Sequence, residues 1–145
     1  MLTGCLRTLA FLLAASLPTF AQVRVSEILY HPASESPAEE FVELLNTSPT
    51  NVVLSGWRIT GGIDFAFGIE TIPAGGCLVV AADLARFQSK YPGVTNVTGN
   101  WLGTLSNSRN TVRVENAAGK TVDSVTYADQ GDWAIRQRSV SLPVG

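Results

Sequence analysis

An all-β sandwich preceded by a leader is the fold this sequence predicts, and three observations predict it. Short apolar runs are separated at close spacing by Gly, Pro, Asn and Ser. Residues 39–60, EEFVELLNTSPTNVVLSGWRIT, join a strand to an Asn-Thr-Ser-Pro turn and a Leu-Ser-Gly-Trp corner. Helical periodicity is confined to one short segment. About seven or eight strands in roughly 100 residues fit two packed sheets better than a barrel or a parallel α/β sheet.

The leader comes first. Arg7 gives a positive n-region, residues 9–17 an apolar h-region and Thr19-Phe20-Ala21 a small-residue cleavage site, the pattern of a Sec-type signal peptide over residues 1–21. A membrane-spanning helix needs roughly 20 apolar residues, and Pro18 cuts this run short of that. The expected product is therefore secreted, periplasmic or at the cell surface, and starts near Gln22 without a membrane span.

Residues 22–145 are enough for one domain with a real core and too few for two comfortable ones. The domain is expected over residues 22–133, with 134–145 a truncated tail of a longer parent chain that carries further domains. The formal charge of −2 becomes one unit more acidic when Arg7 leaves with the leader. The remaining cations are scattered among acids, so no basic stripe of the kind phosphate binding needs is present and no nucleic-acid partner is expected. Loss of Cys5 leaves Cys77 alone, which excludes an intrachain disulfide. Within GCLVVAA the thiol reads as a small buried apolar side chain.

Strands are expected at residues 23–30, 40–46, 52–54 running on through 57–60, 63–67, 70–72, 77–82, 110–116 and 121–127. Residues 83–90 form the one helical candidate, capped by Asp83, with Leu84 and Phe87 on one face. Asn116-Ala117-Ala118-Gly119-Lys120 reads as a hairpin turn with glycine at a positive φ. Across it, Val112 and Val114 are expected to point inward with Val122 partly facing them. Pro73-Ala74-Gly75-Gly76 is the turn that feeds the most apolar strand.

The candidate chemistry lies in acids placed within apolar strands. Period-2 alternation puts Glu27 on the face of Val25 and Leu29, and Glu43 on the face of Phe41 and Leu45. A carboxylate there needs a partner. One reading pairs these acids with Arg24, Arg58, Arg113 or backbone amides. The sharper one makes them oxygen ligands for calcium together with Asp64 or Asp83, although no Asp-x-Asp-x-Asp-Gly loop accompanies them. His31, the only histidine, rules out a multi-imidazole zinc site and sits in a His-Pro loop ill suited to general-base work. No Gly-x-Ser-x-Gly elbow and no phosphate loop is present, so no catalytic residue is assigned.

Aromatics offer a binding face instead. Trp57, after the tight Ser-Gly56 corner, reads as core. Trp101, in the loop-like segment TGNWLG, is the better candidate for exposure, with Tyr30 and His31 as further contacts; packing over the open end of the sandwich is its other reading. Asn46-Thr47-Ser48 and Asn96-Val97-Thr98 are glycosylation sequons, relevant where the host modifies exported proteins.

Four segments, taken in order, resemble lamin-tail domains of a bacterial exported branch: VSEILYHP at 25–32; the acidic strand 40–46 with the corner 54–57; IPAGGCLVVAAD at 72–83; and 105–107 with GKTVDSVTY at 119–127. The resemblance covers residues 23–133. Cys77 departs from it, standing where an aromatic or aliphatic residue is usual. The resemblance implies an immunoglobulin-like sandwich and a non-catalytic interaction module; structural roles are expected for Asn46, Gly56, Trp57 and Cys77. Its expected partner is a protein, the cell envelope or an extracellular polymer. A small glycan- or calcium-dependent binding domain that uses loop acids and Trp101 is the alternative.

Overall fold

The computed structural model describes residues 22–129 and the backbone of residues 134–137. The leader expected at 1–21, Trp133 and the end of the tail lie outside the described residues. Alternating apolar residues build the first sheet. β1 (Val23–Leu29) pairs antiparallel with β2 (Phe41–Asn46), and β2 pairs antiparallel with β7 (Cys77–Ala81). On β2 the residues Val42, Leu44 and Asn46 are buried toward the second sheet, while Phe41, Glu43 and Leu45 face the other way.

The segment expected as one strand across residues 52–60 splits in two. β3 (Val52–Val53) pairs with β6 (Thr71–Ile72) as a separate ribbon, and β4 (Arg58–Thr60) joins the second sheet. The break falls at the Ser-Gly corner, where Gly56 has φ +76° and Trp57 N–H closes the turn onto Leu54 C=O. β5 (Ile63–Ala66) follows, and the chain returns through β7 to the helix α1 (Leu84–Lys90). Asp83 caps α1, its carboxylate accepting from Arg86 N at 2.9 Å. Phe87 drops from the helix onto Phe41, Val79 and Ala81, forming a small second core on the outer face of the first sheet.

Two short strands carry too little pattern to be read from sequence. β8 (Val97–Gly99) runs parallel to β7 after the α1 crossover, and β9 (Leu102–Gly103) pairs with β5. β10 (Arg109–Glu115) and β11 (Thr121–Ala128) form the expected hairpin, with Gly119 at φ +73° and the Asn116 carboxamide accepting from Ala118 N and Lys120 N. β12 (Ala134–Gln137) pairs with β11, so the sheet continues into residues expected as tail.

The first sheet has the order β1-β2-β7-β8 and the second β12-β11-β10-β4-β5-β9. Val23, Val25, Val42, Leu44 and Val80 from one, and Ile59, Val112, Val114, Val125 and Tyr127 from the other, meet in one contiguous core. That is a sandwich. Val112 and Val114 point inward as expected, whereas Val122 does not: Asp123, Val125 and Tyr127 hold the inward positions of β11. Among the described residues no helix is long and apolar enough to cross a membrane.

Candidate functional site

The site candidates separate once the sheets are built. Glu27 is exposed rather than inward-facing because the register of β1 slips between Val25 and Glu27, and the extra residue flips the alternation. Glu43 is half-buried on the outer face of the first sheet. It accepts from Ser26 Oγ at 2.6 Å and lies beside the Cys77 thiol. Asp64 sits on the second sheet, in an ion pair with Arg58. Asp83 is committed to capping α1. The three acids proposed for calcium are thus divided between the two sheets, and among the described residues no three His, Cys, Asp or Glu side chains gather as a metal site.

Trp101 is 7% exposed and belongs to the main core, so it is packed away and is no exposed stacking platform. Its indole Nε1–H is buried without an acceptor among the described residues. Tyr30 stacks on Tyr127, ring centroids 4.2 Å apart, and so serves as a packing element. His31 is exposed and its Nε2 meets the Glu35 carboxylate at 3.0 Å. Trp57 is half-buried against the core. Cys77 is half-buried rather than core: it shares the outer face of Val79 and Ala81 but lies outside the cluster beneath α1. Burial first, and then the Glu43 carboxylate, push its thiol pKa up, which keeps it protonated and poorly nucleophilic.

The buried polar residues are others: Glu40, Asn46 and Asp123. Asn46 ties the Asn-Thr-Ser-Pro turn to the next ribbon, its Nδ2 donating to Thr50 O, Ile72 O and Pro73 O while Oδ1 accepts from Ser48 N and Oγ. The acceptor nitrogen of that sequon is therefore enclosed, whereas Asn96 is exposed. Asp123 accepts from Val25 N at 2.8 Å, joining the two sheets where β1 changes register.

Glu40, 2% exposed, accepts from Leu105 N at 2.9 Å; Tyr127 O–H donates to Ser106 O next to it. Together they hold the segment between β9 and β10. Parity could have revealed Glu40, since it alternates with Val42, Leu44 and Asn46. The flanking Phe41 and Leu45 make both faces of that strand look apolar.

Burial pushes the Glu40 carboxyl above the ordinary carboxylate range, and the Leu105 N–H opposes it only in part. The folded state therefore binds this proton more tightly than the unfolded chain. Its stabilising contribution is complete below the unfolded pKa and is lost as pH rises through the folded one. A Glu40→Gln variant is expected to gain on the wild type as pH is raised from 4 to 7, read as the difference between their melting temperatures. A difference that stays constant over that range would refute a buried, proton-linked Glu40. Glu39 has the opposite sign, held down to about 2 by Lys90 and Arg86, but is common to both proteins and cancels.

The two sheets, their shared core and the polar ties between them define an immunoglobulin-like β-sandwich. A family model described as Lamin Tail Domain matches residues 17–129, and the chain belongs to that family. The family is one of non-catalytic, immunoglobulin-like protein-interaction domains. No curated protein matches the chain.

Proposed function

We infer that the chain is an exported interaction module of the bacterial branch of its family, which tethers or positions a surface or secreted protein through contacts with protein or cell envelope. The observation that carries this reading is the use made of the buried polar groups. Glu40, Asn46 and Asp123 bind backbone amides or carbonyls of the chain's own loops and strands, so they serve the frame and leave its outer surfaces to meet partners. The leader pattern of residues 1–21 supports export, and family membership supports an interaction role.

Co-sedimentation of the purified protein with isolated cell envelopes and with insoluble matrix polysaccharide, at physiological salt, tests the reading. Saturable binding to either is expected, unchanged by calcium or chelator because Glu27, Glu43 and Asp64 do not converge. A cooperatively folded protein that sediments with neither would overturn a tethering role.

A further inference from the structure

The outer face of the second sheet is an unusual surface for a chain of net negative charge. β10 lies inside that sheet, between β11 and β4. Because Val112 and Val114 point inward, Arg109, Thr111 and Arg113 project outward. Arg113 is flanked in register by Thr60 on β4 and Ser124 on β11, both uncharged. Thr111 and Thr126 sit opposite one another with their hydroxyls bonded at 2.8 Å.

Asp64, bordering this patch, is paired with Arg58, whereas the Glu115 carboxylate accepts from the uncharged Thr60 Oγ1 at 3.2 Å and keeps its charge. Among the described residues Arg109 and Arg113 make no ion pair. Two exposed guanidinium groups on one strand face, roughly 13 Å apart along the strand, stand in a field of Ser and Thr hydroxyls.

We propose that this face binds an acidic polysaccharide, the two arginines taking carboxylates of the polymer and the hydroxyls of Thr60, Ser124 and Thr126 its sugar hydroxyls. This deepens the interaction-module reading by naming a partner class, and rests on it. Charge complementarity selects an anionic occupant, since guanidinium donors match carboxylates in a forked geometry. The hydroxyl surround selects a sugar polymer over an acidic peptide, which draws on an open strand edge or an apolar pocket for its anchor. Two cations are too few for the counterion-driven binding of nucleic acid. Exposed pairs of this kind are screened by salt, so binding weakens as ionic strength rises.

The test measures binding of the purified protein to polygalacturonate, with dextran as the neutral polymer and polyglutamate as the acidic peptide, at low and physiological salt. Salt-sensitive binding to polygalacturonate alone is expected. The double variant Arg109→Gln/Arg113→Gln should weaken it about tenfold or more, since charge-assisted contacts are lost. Arg58→Gln, which removes an arginine already paired, should leave it within about twofold, as expected for a rim charge. Melting curves of each variant confirm that the sandwich stays folded. No binding to polygalacturonate, equal binding to polyglutamate, or full binding by the double variant would each overturn the proposal. Envelope co-sedimentation that survives in the double variant would leave the interaction-module reading standing while refuting this face as its surface.

Discussion

Replacing Asn46 by alanine is expected to lower the unfolding free energy by about 3 kcal/mol, because buried groups left without partners cost roughly 1–3 kcal/mol each. One carboxamide closes five hydrogen bonds here. Its Nδ2 holds Thr50 O at 2.7 Å and Ile72 O and Pro73 O at 3.0 Å, and its Oδ1 holds Ser48 N at 2.9 Å and Ser48 Oγ at 2.8 Å. The backbone reinforces the same junction through Asn46 N–H to Gly76 O. Truncation leaves the Ile72 carbonyl, the most enclosed of the three, short of a donor. Asn46→Asp separates the two halves of the network: it keeps the acceptor for Ser48 but turns an oxygen toward three carbonyl oxygens. At neutral pH it is expected to be at least as damaging as alanine. Denaturant unfolding measures both, and an alanine variant within about 0.5 kcal/mol of wild type, the range of an ordinary surface change, would show that the network carries no stability.

Gly61→Ala is expected to cost a similar amount by a different route. Gly61 has φ +102°, and a Cβ placed on it meets the Thr111 carbonyl oxygen at 1.7 Å, with Thr111 C at 2.9 Å. Those atoms are the backbone of β10, held by pairing with β11 at Thr111 itself and with β4 from Arg113 onward. A positive φ and a backbone overlap each cost of the order of 1–3 kcal/mol, so a loss of about 3 kcal/mol is expected. Gly75→Ala is the control: its φ is +68°, but nothing lies within 4 Å of its Cβ. It should carry the conformational strain alone, about 1 kcal/mol. Equal losses at the two positions would mean that the close approach to β10 contributes nothing.

Much of the frame was legible because it depends on local rules. The strands around β1, β2, β5, β7, β10 and β11, the Asp83 cap and the Gly119 turn each follow from a two-residue alternation, a capping carboxylate or a required positive φ. The β3 and β4 segments read as one strand because Leu54 to Thr60 keeps an apolar pattern across the Ser-Gly corner. The corner redirects the chain from a ribbon to the second sheet, and that redirection is not written in the pattern.

The candidate site was far less legible. Which of Glu40 and Glu43 is buried depends on which face of β2 meets the second sheet. The outer face carries apolar residues at both ends, Phe41 and Leu45, and α1 covers it at the Phe41 end. Glu27 is exposed because one register slip reverses the parity of β1, a feature of strand pairing and not of composition. Trp101 sits in a segment rich in Gly and Asn that resembles a loop. The short strands on either side fold its ring into the core.

By itself the sequence determined the class of the fold, the place of most strands and turns and the family it resembles. These rest on neighbours in the chain. Only the tertiary structure decided which acids are buried, that Trp101 is core, that Asn46 is a junction and that Arg109 and Arg113 share one face and form no ion pair among the described residues. Those properties belong to pairs of surfaces: a side chain's burial and its partners are set by the strand laid beside it and the sheet packed against it.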